Sequence, residues 1–312
     1  MRINGIGQAM KDKADRQRPK IAVLLAAYNG RLWLEEQIDS LCQQQEVNVQ
    51  IFISVDVSTD GSYELCKRYE KTCCNINVLE YGVRYGCAAK NFYRLIETVD
   101  LSNFDYVSFA DQDDIWFLDK LSHGIKQLRL NNADGYSSNV TAIWGDGREL
   151  LIDKAQPQKR FDHLFEAAGP GCTYILSKKS AQLLKGYLKR FPQLNDFIAH
   201  DWLAYAIIRN HGFSWFIDPV PKMHYRQHGA NQLGVNISLK ALLSRVAYVF
   251  SGKPFDSIRM LIDVFGLEVV RLFTRQDAFK LALKSRQLRR RKVDQLFVFM
   301  ALMISAIKGP SN

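Results

Sequence analysis

Tyr106-Val107-Ser108-Phe109-Ala110-Asp111-Gln112-Asp113-Asp114 reads as a buried strand that runs out into three carboxylates. The five residues before Asp111 are short, mostly apolar and β-prone, while Leu118, Leu121, Ile125 and Leu128 behind the acids recur at helical spacing. A strand feeding a helix puts the acids at the strand's carboxyl end, where open α/β sheets take their ligands. Acids packed this closely repel one another and lose hydration when enclosed, and a divalent cation with oxygen ligands removes both penalties. The stretch therefore predicts a metal site. The competing reading, a solvated acidic turn, suits acids that have no strand in front of them.

Working outward, Ile21 to Ala27 is a continuous apolar run closed by Tyr28-Asn29-Gly30, and Leu34, Ile38 and Leu41 follow at helical spacing. Gln50 to Val55 ends at Asp56, and Ser58-Thr59-Asp60-Gly61 turns into a helix carrying Leu65, Cys66 and Tyr69. Ile76 to Leu79 precedes a loop with Gly82 and Gly86 and a helix with Phe92, Leu95, Ile96 and Val99. This alternation predicts an α/β fold with a mostly parallel central sheet and helices on both faces. Right-handed crossovers put Tyr28, Asp56 and Asp111 along one sheet edge. Beyond about residue 135, short strands near 140–144, 173–176, 213–217 and 223–228, with helices near 178–190 and 201–210, predict an α+β second wall.

From Ser238 onward the pattern is helical and basic. Lys284, Arg286, Arg289, Arg290, Arg291 and Lys292 precede the apolar run Leu296 to Ile307, whose 12 residues fall short of the roughly 20 that a membrane span needs. The run either packs on the body or lies on a bilayer. The expected organisation is a loose basic tail over 1–19, a catalytic domain over 20–236 and a basic helical C-terminal extension over 237–312.

At 312 residues and 47% hydrophobic composition the chain can bury a sizeable core, which excludes a disordered or fibrous protein. The net charge of +10 is uneven: residues 237–312 hold 14 Lys or Arg against 5 Asp or Glu, and residues 1–20 hold 6 against 2. Basic ends on a mildly acidic body suggest an anionic partner, either nucleic acid or the cytoplasmic leaflet of a membrane. The cysteines show no CxxC pair and read as reduced, buried thiols of a cytosolic chain. Residues 1–20 lack the apolar stretch of a secretory signal or a span, so the sequons at Asn139 and Asn236 carry no expectation of glycosylation.

The series Ala27-Tyr28-Asn29-Gly30, Ser54-Val55-Asp56-Val57-Ser58-Thr59-Asp60-Gly61, Asp111-Gln112-Asp113-Asp114-Ile115-Trp116 and His200-Asp201-Trp202 resembles the family-two inverting glycosyltransferases with the nucleotide-diphospho-sugar transferase, GT-A-like fold. With Gly171-Cys172-Thr173 and Tyr225-Arg226-Gln227-His228, it is most similar to bacterial rhamnosyltransferase-type enzymes of surface polysaccharide assembly. Val55 and Val57 depart from the family's usual acid and glycine, which bears on the loop's shape more than on Asp56.

The resemblance implies a role for each residue. Tyr28 and Asn29 take the nucleotide, and Asp56 accepts from the base; Asp60 fits an Asx turn better. Lys90 and Asn91 reach the diphosphate at a helix start, although Lys90 could equally be solvated. Asp111 and Asp113 form the Asp-x-Asp element and hold Mg or Mn, Asp113 most directly, with His228 as a nitrogen ligand or phosphate donor and Arg226 on the donor phosphates. Cys172 and Thr173 line the donor pocket, without a nucleophilic role. Asp201 is the base that deprotonates the acceptor hydroxyl, with Trp202 as an apolar wall, or else caps its helix.

The expected activity is transfer of a hexose or deoxyhexose, such as rhamnose, from a dTDP- or UDP-sugar to a lipid-linked glycan at the inner face of the cell membrane. A nucleic-acid-binding protein is the alternative from another class, but residues 280–295 lack the aromatic residues that stack on bases. A nucleotidyltransferase would need a Gly-rich signature with a following Lys near the first strand, where Tyr28-Asn29-Gly30 stands instead.

Overall fold

The computed structural model describes residues 18–229, 253–267 and 274–308. Residues 1–17 of the loose tail expected over 1–19, the Asn236 sequon and the start of the basic extension lie outside the described residues.

The first half alternates as its sequence predicts: β1 (Lys20–Ala27), α1 (Arg31–Cys42), β2 (Asn48–Val55), α2 (Ser62–Thr72), β3 (Ile76–Val78), α3 (Ala88–Thr98) and β4 (Tyr106–Ala110). A two-residue strand β5 (Ile115–Trp116) then intervenes before α4 (Lys120–Leu130). This corrects the expected helical face: Leu118 precedes the helix and is exposed, whereas Leu121, Ile125 and Leu128 are buried.

After α4 come β6 (Gly135–Ser138), β7 (Val140–Trp144), β8 (Glu149–Ile152), β9 (Ile175–Ser177), α5 (Lys178–Arg190), α6 (His200–Asn210), β10 (Trp215–Asp218) and β11 (Met223–Gln227). The helices α7 (Lys253–Phe265), α8 (Arg275–Ala282) and α9 (Lys292–Lys308) complete the described elements. The sequence pattern did not separate β6 and β8 from their surroundings, because neither strand alternates.

Seven strands form the main sheet in the order β10-β6-β9-β4-β1-β2-β3, in which β9 runs antiparallel to both neighbours and the remaining pairs are parallel. Every residue of β1 after Lys20 is buried, and the two pleat faces supply different cores. Ala22, Leu24 and Ala26 join the cluster with α3, α5 and α6, while Ile21, Val23, Leu25 and Ala27 join that with α1, α2 and α4. Each such Leu or Ile contributes about 1.5–3 kcal/mol of burial.

The chain leaves β1 for β2 and β3 on one side and returns to β4 on the other, so a crevice opens above the carboxyl ends of β1 and β4. Ala27 pairs with Val55 and Leu25 with Ala110, which puts Tyr28, Asp56 and Asp111 on that one edge, as expected.

The second wall is a four-stranded sheet in the order β5-β11-β7-β8, and it brings the end of β11 beside the acidic stretch. The C-terminal helices pack on the body: Leu261, Leu281, Ala282 and Leu302 are buried in the α3–α5–α6 core. Arg290 anchors them, donating to Ala167 O at 2.7 Å and pairing with Asp162 at 3.4 Å and Glu166 at 3.6 Å. Val293, Leu296, Met300 and Ile307 of α9 remain exposed. No helix among the described residues is long and apolar enough to cross a membrane.

Candidate active site

The loop after β1 is built by its neighbours. Tyr28 N–H donates to Gln112 Oε1 at 2.7 Å and Gln112 Nε2 donates back to Tyr28 O at 3.0 Å, leaving the Tyr28 ring half-exposed over the crevice. Asn29 adopts φ 45°, receives Thr59 N–H on Oδ1 at 2.9 Å and donates its own N–H to Ser58 Oγ at 3.0 Å. Asp60 makes the expected Asx turn, receiving Ser62 N–H at 3.0 Å, and also takes Arg31 N–H at 2.9 Å.

Asp56 is buried, and its carboxylate gathers the glycine loop by accepting Tyr85 N–H and Gly86 N–H, each at 2.8 Å. A carboxylate has about four lone-pair sites, so a further donor can still be accepted. Tyr63 stacks on Tyr81 at 4.0 Å, and the Tyr81 hydroxyl receives Ser58 N–H at 3.0 Å, which fixes the wall of the same loop.

Asp111, Asp114 and Cys172 present side-chain atoms that all lie within 4.8 Å of one another. Burial and then the Asp113 and Asp201 charges push the Asp111 carboxyl up to about 7. Asp114 is buried and, chiefly through desolvation and then the Asp111 charge, held well above the usual carboxylate range. Its Oδ1 accepts Arg226 N–H at 3.3 Å, while its Oδ2 has no partner among the described residues. The Cys172 thiol, pushed well above its ordinary value by burial, stays protonated beside Asp114 and Asp111.

Asp113 pairs with His228 Nε2 at 2.8 Å, and the His228 ring lies flat on Trp33 at 3.7 Å. Burial raises the Asp113 carboxyl in spite of that bond. Arg226 donates from Nε to Asp113 O at 3.0 Å and pairs with Glu36, so it clamps the acidic turn from the second sheet. Carboxylate oxygens, an imidazole and an unsatisfied buried oxygen suit Mg or Mn. The neutral, soft thiol beside these acids is a poor ligand for such hard ions.

Asp201 lies in the first turn of α6, whose N-cap is Ala199. Its Oδ1 accepts Trp202 N–H at 2.7 Å, and burial pushes it up to about 6 against that bond and the nearby Lys154. The expected apolar wall is different from Trp202, whose indole turns into the core and donates to His163 O at 3.0 Å. Buried Tyr93 and Tyr174 share that core. His200 is buried and neutral, with desolvation lowering it to about 3, and it stacks on Phe92 at 3.8 Å. A Cβ on Gly171 would lie 2.5 Å from His200 Nε2, so only glycine lets this backbone approach.

Three expected donor contacts take other partners. Asn91 is buried, donates to Ser54 O at 3.0 Å and Ala27 O at 3.3 Å, and thereby ties the ends of β1 and β2 together. Thr173 is buried and donates to Pro170 O at 2.7 Å, shaping the bend before β9. Lys90 is half-exposed and pairs with Asp196 at 2.9 Å.

Sequence reasoning passed over Gln112 although it sits within the acidic stretch, and it had no signal for Trp33 or Glu36, which reach the site from α1. It also passed over Lys120, fully buried beneath the acids with Nζ 3.2 Å from the Trp116 ring centre and lowered to about 7 by burial. A charged residue in a helix's first turn ordinarily reads as solvated.

A mostly parallel sheet with a crevice and clustered acids at its carboxyl edge defines a nucleotide-sugar transferase class of fold. Comparison narrows the class. Residues 22–176 match glycosyl transferase family 2. The chain is 40% identical over 290 residues to the dTDP-rhamnosyl transferase RfbG of Shigella flexneri, a match covering 90% of this chain and 99% of that one. It is 21% identical over 185 residues to the Escherichia coli UDP-Glc:alpha-D-GlcNAc-diphosphoundecaprenol beta-1,3-glucosyltransferase WfgD, covering 59% of this chain and 68% of that one. In fold it is similar to S. aureus TarS 1-349 in complex with UDP, with TM-score 0.52, 12% identity and coverage of 93% of this chain and 92% of that one.

The protein belongs to glycosyl transferase family 2 and is a glycosyltransferase. Neither the nucleic-acid-binding nor the nucleotidyltransferase alternative is favoured.

Proposed function

We propose that the protein transfers rhamnose from a dTDP-sugar, with inversion, to a hydroxyl of a lipid-linked glycan. The observation that carries this reading is the carboxyl edge of the sheet, where Tyr28, Asp56 and Asp111 follow β1, β2 and β4 and side-chain oxygens of Asp111 and Asp114 lie within 4.8 Å of one another. The donor class is supported by the Shigella flexneri relative, and the lipid-linked acceptor by the name of the Escherichia coli one.

Tyr28 offers a flat face to the base or ribose, and Asp56 a carboxylate that already organises the loop beneath it. Asp111 and Asp113 would hold Mg or Mn, with His228 as the nitrogen donor on Asp113's side. Such an ion, when bound, supplies Lewis-acid neutralisation of the charge growing on the departing nucleoside diphosphate.

Asp201 removes the proton from the attacking acceptor hydroxyl. Its burial raises its basicity towards neutral pH while leaving it ionised above about 6, which suits a general base. The basic C-terminal region keeps the enzyme at the anionic inner leaflet, where such an acceptor sits.

The test is a panel of dTDP- and UDP-sugars with Mg or Mn, scored by thermal stabilisation and by release of the nucleoside diphosphate. dTDP-rhamnose is expected to stabilise most. Absence of stabilisation by any nucleotide sugar would overturn the reading.

A further inference from the structure

An open cleft of about 970 Å³ lies between the loop carrying Gln156 and Lys159 and the start of the α9 region. Its lining includes the cations of Lys159, Arg286, Arg291 and Lys292 together with the apolar side chains of Leu296 and Phe299. Arg290 also reaches it but is committed to Asp162 and Glu166. None of the other four cations pairs with a carboxylate among the described residues. Isolated on a convex face, such cations would simply be solvated. Gathered round a concavity with an apolar side, they raise the local potential for an anion that also carries hydrocarbon.

We propose that this cleft binds the diphosphate and first isoprene units of a prenyl-diphosphate-linked acceptor. The inference rests on the acceptor class proposed above and assigns it a place. Two observations connect the cleft to the site. Gln156 of the cleft wall follows Lys154 by two residues, a Cβ on Gly169 would lie 3.5 Å from Lys154 Cβ and one on Gly171 3.1 Å from Asp201 Cβ, so the wall leads to the candidate base. The backbone stretch that Arg290 grips at Ala167 leads directly into Gly169-Pro170-Gly171-Cys172 beneath that base.

The apolar end also continues. Exposed Val293, Leu296 and Met300 are spaced by three and four residues, hence share one face of α9, and Ile307 lies two turns further on. That face gives a prenyl chain a path away from the phosphates. Lysine meets a diphosphate as a point charge and arginine with a fork of donors, and this open cleft presents both.

Farnesyl diphosphate is the probe, applied to the full chain, with inorganic pyrophosphate, farnesol and phosphatidylglycerol vesicles as comparators. The parent is expected to bind farnesyl diphosphate at least about tenfold tighter than pyrophosphate or farnesol. The triple variant Arg286→Gln, Arg291→Gln, Lys292→Gln is expected to lose about tenfold or more in that affinity while its stabilisation by dTDP is unchanged, which also reports that it folds. Leu296→Ser is expected to weaken farnesyl diphosphate and leave pyrophosphate alone.

Unchanged farnesyl diphosphate affinity in the triple variant overturns the proposal. So does displacement of the probe by dTDP, which would put it in the donor crevice, or an equal loss on phosphatidylglycerol vesicles, which would make the cleft a headgroup surface. Failure of the parent to bind any nucleotide sugar would instead defeat the donor assignment, and the farnesyl diphosphate comparison would still read the cleft.

Discussion

Gln112 holds the Tyr28 peptide by both its groups, accepting the N–H at 2.7 Å and donating to the C=O at 3.0 Å. The acidic turn after β4 and the loop after β1 are thereby one unit. A Cβ on Gly30 would lie 2.3 Å from Gln112 Oε1, so that glycine makes room for the brace. Gln112→Ala should weaken donor binding by roughly 5- to 150-fold, since each of the two lost hydrogen bonds is worth about 0.5–1.5 kcal/mol. Calorimetry with dTDP checks this, and an unchanged affinity would detach the brace from the donor site.

Asp201→Asn should lower kcat by roughly 10²–10⁴-fold while nucleotide affinity stays intact. The carboxylate must be ionised to accept a proton, and burial raises it to about 6. The parent's kcat/KM should therefore rise with pH through about 6 and level off above it, and a flat profile from pH 5 to 8 would contradict the assignment.

Asp111 is protonated more readily in the folded chain than in the unfolded one, because its folded pKa is raised to about 7. Its protonation therefore favours folding, and that contribution fades as pH rises from the unfolded value of about 4 towards 7. Without added divalent ion the protein should lose thermal stability across this window, and saturating Mn should restore it. Asp111→Asn should flatten the slope and abolish the response to Mn, as thermal scans at several pH values would show.

His228 is held between the Asp113 carboxylate and the face of Trp33. Trp33→Ala leaves every candidate ligand in place yet removes the surface that orients the imidazole. It should reduce Mn affinity by roughly 10–100-fold, the usual effect of losing an orienting group around a metal. Electron paramagnetic resonance titration of free Mn measures it.

Arg290 is the buried cation that neutralises Asp162 and Glu166. Arg290→Ala should cost about 3–5 kcal/mol of stability, because Asp162 is left as an uncompensated buried charge. Chemical denaturation would reveal a smaller loss if the C-terminal helices dock by hydrophobic contact alone.

Much of the fold was legible in order along the chain. The apolar runs at Ile21–Ala27 and Tyr106–Ala110 could only be strands covered on both faces, and the acids and aromatic residues that follow such strands fall at the sheet's carboxyl edge by topology. Where a side chain points was less legible. Asn91 and Thr173 sit in stretches that suggested ligand contact, yet Asn91 donates to Ser54 O and accepts from the Ser54 hydroxyl, and Thr173 donates to Pro170 O. Leu118 keeps helical spacing with Leu121, but β5 intervenes and leaves it in solvent.

The sequence by itself determined the α/β class, the edge on which Tyr28, Asp56 and Asp111 stand, and the acid-rich character of the crevice, because hydrophobic period and strand–helix alternation are local properties. Only the tertiary structure decided that Trp33 backs His228, that Gln112 braces Tyr28, and that basic C-terminal residues line a cleft with Gln156 and Lys159. Those relations join residues far apart in sequence, and no local propensity encodes which distant side chains the packed core will bring within contact.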